Sequence, residues 1–567
     1  MSRTGRAAGA FLLAAVCASA APLGAPRPND LVAIGAKAAV VTAEPRATQV
    51  GLQILRDGGN AVDAAVAVAL TLAVTHPQAG NLGGGGFLVI RMADGSTAAI
   101  DFREMAPKVA TTDMYLRADG SVDEDKVQYG ATAAGVPGSP AGLWLALQKF
   151  GSRTLAAVAA PAIRLAREGF QVDQFLAEDL RDEQKGLSRF PSTRKVFFRG
   201  DRPLQQGEVL VQEDLAATLE RFAKGGLEGF YGGRTAELVE AQMQRDGGFL
   251  TRKDLAAYAP RERQALRTTY RDLEVIGMPP PSSGGVALAQ MLNLLEGYDL
   301  KALGYGGSEY LHLLTEVMAR AYADRSRWLG DPDFHPVPVE GLIGKEYATK
   351  LREGISREQK SVVRPGVPPG AKESDDTTHF SIVDKDGNAV ACTTTINSTF
   401  GSMLVVEGAG FLLNNEMDDF SAKPGVPNQF GLVGGKANAI APGKRMLSSM
   451  TPTIVLEKGE LRYVLGAPGG GRIITAVLQV LLNCRDHGMG LEQAVRAPRI
   501  HYQWLPETLR WEPLSLAPDV RAALQQKGHT FDARPYGVGQ VFAIEVQRDG
   551  QRLGVCDHRS GGAAAAY

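Results

Sequence analysis

The sequence predicts an α+β protein in which a helix-rich first two-thirds leads into a strand-rich last third. Three observations carry this. Long amphipathic runs dominate up to about Tyr322, a proline-rich stretch breaks the pattern over 361–376, and short β-rich runs bounded by Gly and Asp follow it. At 567 residues the chain exceeds one ordinary core, so length predicts two to four domains or one large layered unit.

The first twenty residues read as a secretory signal. Arg3 and Arg6 precede an apolar run from Ala7 to Val16, and Ala18-Ser19-Ala20 offers a small-residue cleavage site. Export is the expectation; a lipid anchor on Cys17 is disfavoured by the bulky Val16 before it. From about Ala36 to Val74 the pattern is helical, with small apolar residues crowded between Ala61 and Leu70. Strand-like stretches from Phe87 to Met92 and Thr97 to Phe102 flank Asp94-Gly95, a hairpin signal. Amphipathic helices are expected from Ala141 to Glu168, Glu213 to Lys224, Thr235 to Arg245 and Ala287 to Tyr322. Residues Ser361 to Asp376 hold Pro365, Pro368 and Pro369 among glycines and charges, which predicts an exposed loop of the kind where chains are cut. Beyond it, Met403 to Leu413, Thr453 to Leu456 and Tyr463 to Leu465 read as strands and Ile473 to Cys484 as a helix.

Composition narrows the function. With 61 Lys plus Arg against 62 Asp plus Glu and no basic stripe, nucleic acid is not an expected partner. No segment after the signal is apolar for the 18 or more residues of a membrane span. Cys392, Cys484 and Cys556 are too few and scattered for a disulfide framework and read as core residues. Eight histidines, none in a paired ligand spacing, give no reason to expect a catalytic metal, and no cofactor is expected. Gly83 to Gly86 lack the Lys-Ser or Lys-Thr of a phosphate cradle and predict tight backbone packing instead. Neither Ser282-Ser283 nor Ser448-Ser449 lies in a nucleophile elbow.

Thr378 to Val383 and Ala389 to Ile396 flank Asp384-Lys385-Asp386-Gly387-Asn388. A three-residue connection with Gly387 in the left-handed position sets Thr377 opposite Thr395. One face then collects Thr378, Phe380, Ile382, Val390, Cys392, Thr394 and Ile396 and should be buried; the other collects Thr377, His379, Ser381, Thr393, Thr395 and Asn397. Opposed Cβ atoms lie about 4.5–5.5 Å apart, close enough for the Thr395 hydroxyl to hold that of Thr377. Cutting between Asp376 and Thr377 would give one residue both a hydroxyl nucleophile and a free amine to activate it. His379 is expected to be a hydrogen-bonded structural residue.

The run from Thr377 to Val390 closely resembles the start of the small subunit of gamma-glutamyltranspeptidases, which are N-terminal nucleophile hydrolases. The resemblance extends through Asn414-Asn415-Glu416-Met417-Asp418-Asp419-Phe420, Leu447-Ser448-Ser449-Met450-Thr451-Pro452 and Gly466-Ala467-Pro468-Gly469-Gly470-Gly471-Arg472. Upstream it includes Asn81-Leu82-Gly83-Gly84-Gly85-Gly86-Phe87, Asp101-Phe102-Arg103-Glu104-Met105-Ala106-Pro107 and Tyr322-Ala323-Asp324-Arg325. It implies a four-layer αββα sandwich built from a large subunit, residues 21–376, and a small catalytic subunit, residues 377–567, after self-cleavage at Asp376-Thr377.

By the same resemblance, Thr377 attacks the gamma-carbonyl of a gamma-glutamyl amide such as glutathione, and water or an amino acid or peptide takes the acyl group. Backbone amides matching Gly469 and Gly470 would stabilise the oxyanion. Arg103, Ser448 and Ser449 match positions that bind the substrate's alpha-carboxylate, and Asn397, Glu416 and Asp419 match those that receive its ammonium. Residues Pro424 to Arg445 resemble a lid loop, with Phe430 where bacterial relatives often carry a gating tyrosine. Without that hydroxyl the lid is expected to latch more loosely. Two alternatives stay open: a glutaryl or cephalosporin acylase on the same scaffold, and an unprocessed amino-acid-binding protein. Buried Glu416 and Asp419 with no ammonium to meet would be costly, which counts against the acylase.

Overall fold

The computed structural model describes residues 30–364 and 377–567, apart from Pro424, Pro427 and Phe430. The signal-like segment, the loop with Asp376, and Phe430 therefore lie outside the described residues.

Two seven-stranded antiparallel sheets form the frame. One runs Ala563–Ala566, Ala39–Thr42, Thr377–Val383, Ala389–Thr395, Gly85–Arg91, Thr97–Asp101 and Arg261–Arg263. The other runs Val32–Gly35, Arg552–Cys556, Phe542–Val546, Glu460–Gly466, Thr453–Glu457, Leu273–Gly277 and Leu266–Tyr270. The hairpin that begins at Thr377 thus occupies the centre of the first sheet. Every strand pairing in its ladder satisfies backbone groups that burial would otherwise orphan.

The sheets stack face to face between two layers of helices, giving the αββα order. On one side, Val40, Leu88, Ile90, Phe380, Ile382, Val390 and Cys392 meet the helices Pro45–Arg56, Ala61–Thr75 and Leu155–Glu168. The middle of the sandwich joins Val41, Phe87, Val89 and Ala391 to Ile454, Val464, Phe542 and Ile544. The helices Gly284–Leu295, Ser308–Trp328 and Arg472–Arg485 cover the far face. Each fully buried Val, Leu, Ile or Phe contributes about 1.5–3 kcal/mol.

Local chemistry starts the helices. Glu44 accepts from the Ala47 N–H and Pro45 fixes the first turn, while Asn60 and Asp63 form a reciprocal capping box before Ala61–Thr75. All fifteen residues of that second helix are buried, as expected for a helix apolar all round.

Two expectations need correction. Ala36 to Val74 is not helical throughout: Ala39–Thr42 is a strand between Thr377–Val383 and Ala563–Ala566. Its β-branched centre pairs with strands distant in sequence, and that pairing overrides the local pattern. Met403 to Leu413 is not a strand either, because Gly408 and Gly410 take left-handed angles of 74° and 78° and leave isolated bridges, Val405 with Leu412 and Leu413 with Gly83. The Gly83 to Gly86 expectation holds: a β-carbon on Gly84 would fall 2.1 Å from the Thr395 carbonyl oxygen. Cys392, Cys484 and Cys556 are free thiols, the first and last buried and Cys484 half-buried.

Candidate active site

The hairpin register is the predicted one. Thr377 lies opposite Thr395 and His379 opposite Thr393, and Gly387 makes the left-handed turn at φ 88°. The Thr377 Oγ is 3.5 Å from the Thr395 Oγ, at the outer limit of a hydrogen bond. Thr395 Oγ accepts from the Asn397 N–H at 2.8 Å, and its carbonyl accepts from Asn81 Nδ2 at 2.9 Å. Asn397, itself left-handed at φ 78°, donates from Nδ2 to the Asn415 carbonyl, which carries the chain of contacts to Glu416. Thr378 is fully buried on the opposite face, and its hydroxyl has no hydrogen-bond partner among the described residues.

Below Thr377, the His379 ring shares hydrogen bonds with Thr393 Oγ at 2.8 Å and Ser381 Oγ at 3.1 Å. Complete burial pushes its pKa down to about 3, so the ring is neutral at ordinary pH. It is a structural residue of the polar layer, as expected.

Gly469 and Gly470 form the second part. They adopt φ angles of 127° and 51°, which side-chain-bearing residues rarely take, and they lead through the N-cap Gly471 into the helix Arg472–Arg485. No described group accepts from either N–H. Tyr322 Oη donates to the Gly471 carbonyl and anchors this loop from the helix Ser308–Trp328. Thr377 and Gly469 line one cavity of about 300 Å³.

The third part is charged. Arg103, 1% exposed, contacts Glu416 through Nη1 and Asp419 through Nη2, and donates to the Met446 and Leu447 carbonyls at 3.2 Å. Burial alone would lower its pKa, but Glu416, Asp419 and Glu104 more than offset that and hold the guanidinium charged. Burial raises the pKa of Glu416 and Asp419, with Arg103 opposing in both. Glu104 is pushed up to about 7 by burial, against the Arg103 charge 3.6 Å away. Arg103 thus pairs directly with Glu416 and Asp419, because opposite charges brought into a dry site neutralise each other. Ser448 is tied to the Ser282-Ser283 segment, its carbonyl accepting from the Ser283 N–H and Oγ.

Sequence reasoning assigned no role to Arg325, which donates to Ser449 Oγ at 3.0 Å and to Ser283 Oγ at 2.9 Å. Burial lowers its pKa. A signal was present: Tyr322 and Arg325 lie three apart on one helix and so share a face. Glu104 was likewise passed over, although it follows Arg103 directly. The lid-like loop reaches the site through Asn428, which donates to Asp419 Oδ1 at 3.2 Å, and through Gln429, which accepts from Ser398 Oγ at 2.7 Å. Among the described residues no cluster of His, Cys, Asp or Glu could hold a metal ion, and no helix is long and apolar enough to cross a membrane.

The Gamma-glutamyltranspeptidase family description matches residues 47–567. The chain is 49% identical over 525 residues to a glutathione hydrolase proenzyme of Escherichia coli strain K12, covering 92% of this chain and 90% of that protein. It is 39% identical over 558 residues to the acylase ACY 1 proenzyme of Pseudomonas sp. strain V22, covering 96% and 97%. The structure superposes on a cephalosporin acylase from Bacillus halodurans with a TM-score of 0.85 at 28% identity, over 98% of this chain and 99% of that one. The chain belongs to the gamma-glutamyltranspeptidase family.

Proposed function

We propose that the chain is a self-processing gamma-glutamyltranspeptidase that cleaves the gamma-glutamyl amide bond of glutathione and related compounds and passes the group to water or to an amino acid or peptide. One observation carries the reading. Thr377 is the first residue of a central strand, opposite Thr395 and in one cavity with Gly469, and scission before it would free its nitrogen.

In maturation, Thr377 Oγ attacks the Asp376 carbonyl, the acyl group moves from nitrogen to oxygen, and water hydrolyses the ester. The products are a large subunit ending at Asp376 and a small one beginning at Thr377, with residues 1–20 removed on export. The freed amine has a pKa of about 7.7–8.0 and can act as general base near neutral pH. It takes the Oγ proton as Oγ attacks the gamma-carbonyl, and returns a proton to the departing amine. The N–H groups of Gly469 and Gly470 receive the oxyanion; losing one such donor costs about 2.7–4 kcal/mol of transition-state stabilisation. Arg103, Ser448 and Ser449 take the alpha-carboxylate and Asn397, Glu416 and Asp419 the ammonium, with Arg325 holding Ser449 in place.

Denaturing electrophoresis with N-terminal sequencing tests the reading. Wild type should give two chains, the smaller beginning at Thr377, and Thr377→Ala a single inert one. An intact wild-type chain that hydrolyses glutathione would refute it. A second reading, an acylase for glutaryl or cephalosporin side chains, draws support from Arg103, which already compensates Glu416 and Asp419 without a substrate ammonium. Their burial therefore no longer counts against it, and comparing gamma-glutamyl with glutaryl anilides separates the two.

A further inference from the structure

Residues 354–364 lead from the helix Lys345–Glu353 toward the proposed cut, and hydrogen bonds hold them more than apolar packing does. Of their apolar side chains, Val362 is 86% exposed and only Ile355 and Val363 pack against the core. The ties cross to the small-subunit part of the chain. The Lys360 N–H donates to the Lys527 carbonyl at 2.7 Å, and the Val363 carbonyl accepts from Trp504 Nε1 at 3.0 Å. Lys360 Nζ pairs with Glu507, while Lys527 Nζ donates to the Arg357 carbonyl and pairs with Glu309. On the other side, the Ser361 N–H donates to Glu316 Oε1 at 2.9 Å, on the helix Ser308–Trp328. A segment with so few buried apolar contacts can open locally, ahead of global unfolding.

Beneath it lies a buried pair of imidazoles, His312 from that helix and His529 from the small-subunit part, 2% and 3% exposed. His312 Nε2 is 2.8 Å from the Ser356 carbonyl, which can only accept, so this nitrogen carries the proton. In the neutral ring His312 Nδ1 is then the acceptor, and His529 Nε2, 2.7 Å away, is the donor. His529 Nδ1 is left as a bare lone pair, buried and without a partner among the described residues. A proton added to the pair lands there, where nothing receives its N–H. The charges that face the ring are Lys360 and Lys527, which oppose protonation, and Glu316, which favours it but is paired with Arg320. Glu507 and Glu309 are taken up by the two lysines, and Glu358 accepts from Ser356 Oγ. Burial, His312 and the lysines together push the His529 pKa down to about 4.

We propose that residues 354–364 form a clasp that fastens the large-subunit part of the chain to the small-subunit part, and that the neutral His312–His529 pair is its acid-sensitive pin: protonation at His529 Nδ1 undocks the clasp while the two sheets stay folded. The docked form excludes the proton and the open form binds it at the ordinary pKa of about 6.5. Docking is therefore at full strength above pH 6.5 and weakens as pH falls toward 4, opening becoming about tenfold easier for each unit in that window. The clasp joins the same two parts whether or not the chain is cut before Thr377, so it does not depend on the catalytic reading above.

Hydrogen exchange read by mass spectrometry tests this on the purified full-length protein, cut or uncut, with rates corrected for the intrinsic pH dependence of exchange. Between pH 7.5 and 5, protection of the peptide spanning 354–364 should fall by about tenfold or more in wild type. Protection of the central strand Thr377–Val383 should stay within about threefold. In His529→Gln and His529→Asn, which keep an N–H donor for His312 and do not titrate, the fall across 354–364 should shrink to about threefold or less. Titration of Glu309, Glu316 and Glu507 is common to wild type and variants and cancels in the comparison. A wild-type clasp with unchanged protection, a fall of equal size in the central strand, or the same fall in both variants overturns the pin. A single uncut chain on a denaturing gel would instead count against the self-processing reading and leave the clasp standing.

Discussion

The His379 imidazole packs directly on Gly466: a β-carbon built on that glycine would lie 2.3 Å from Cε1 of the ring. The two residues belong to different sheets, the ring to the strand Thr377–Val383 and the glycine to Glu460–Gly466. Their contact therefore sets how closely the sandwich closes two residues from the nucleophile. Thr393 and Ser381 hold the ring in place, so it cannot swing aside.

Gly466→Ala should accordingly push the sheets apart beneath Thr377. Overpacking of this kind costs about 1–3 kcal/mol. Appearance of the small subunit, followed by electrophoresis, should slow by about tenfold, the rate equivalent of about 1.4 kcal/mol. Cleavage at the wild-type rate would mean that the ring contact does not position the nucleophile.

His379 also gives the protein a defined acid response. Its folded pKa, about 3, lies below the usual 6.5, so the unfolded chain binds the extra proton between those values. The stability it contributes is full above pH 6.5 and is lost as pH falls toward 3, at up to about 1.4 kcal/mol per unit. His379→Gln removes this dependence. The gap in thermal midpoint between wild type and variant should narrow steadily as pH drops below 6.5. Raised carboxylates such as Glu104 act in the opposite direction but are common to both proteins. A gap constant from pH 7.5 to 4 would show that the ring titrates normally.

Thr395→Val keeps the shape of the residue while removing the hydroxyl that faces Thr377 and accepts from the Asn397 N–H. Loss of a hydrogen bond that leaves a buried donor unpaired costs about 1–3 kcal/mol. The kcat/KM for a gamma-glutamyl anilide should fall by about 5- to 150-fold, and Thr395→Ser should restore most of it. Failure of the serine variant to rescue would assign the effect to packing.

The hairpin at Thr377 was legible because its register depends on a few neighbouring residues: Gly387 fixes the turn, and period two does the rest. Ala39–Thr42 was not, since four residues of strand gain their identity from partners at Thr377–Val383 and Ala563–Ala566. The site residues could be named from the family resemblance, but the direct contact of Arg103 with Glu416 and Asp419 could not. It arises from residues far apart in sequence meeting in a dry interior, where the relief of mutual desolvation decides who pairs with whom. Tyr322 and Arg325 lie in a stretch that resembles the family, yet helical spacing alone shows only that they share a face.

Arg103→Lys tests that charged cluster. The arginine fork reaches two carboxylates and two carbonyls at once, whereas a lysine presents one compact charge and cannot span both Glu416 and Asp419. KM for a gamma-glutamyl anilide should rise by about tenfold or more, with kcat changed by less than about threefold. The pH profile should move as well. Glu104 becomes neutral as pH falls through about 7, and Glu416 is raised in the same direction, so wild-type KM should increase on the acid side of that range as the site loses negative charge facing the substrate ammonium. With weaker pairing in the lysine variant, protonation of these carboxylates begins at higher pH, and the rise in KM should begin there too. If kcat alone fell, with KM and its pH dependence as in wild type, Arg103 would belong to the chemical step and not to recognition of the substrate's charged end.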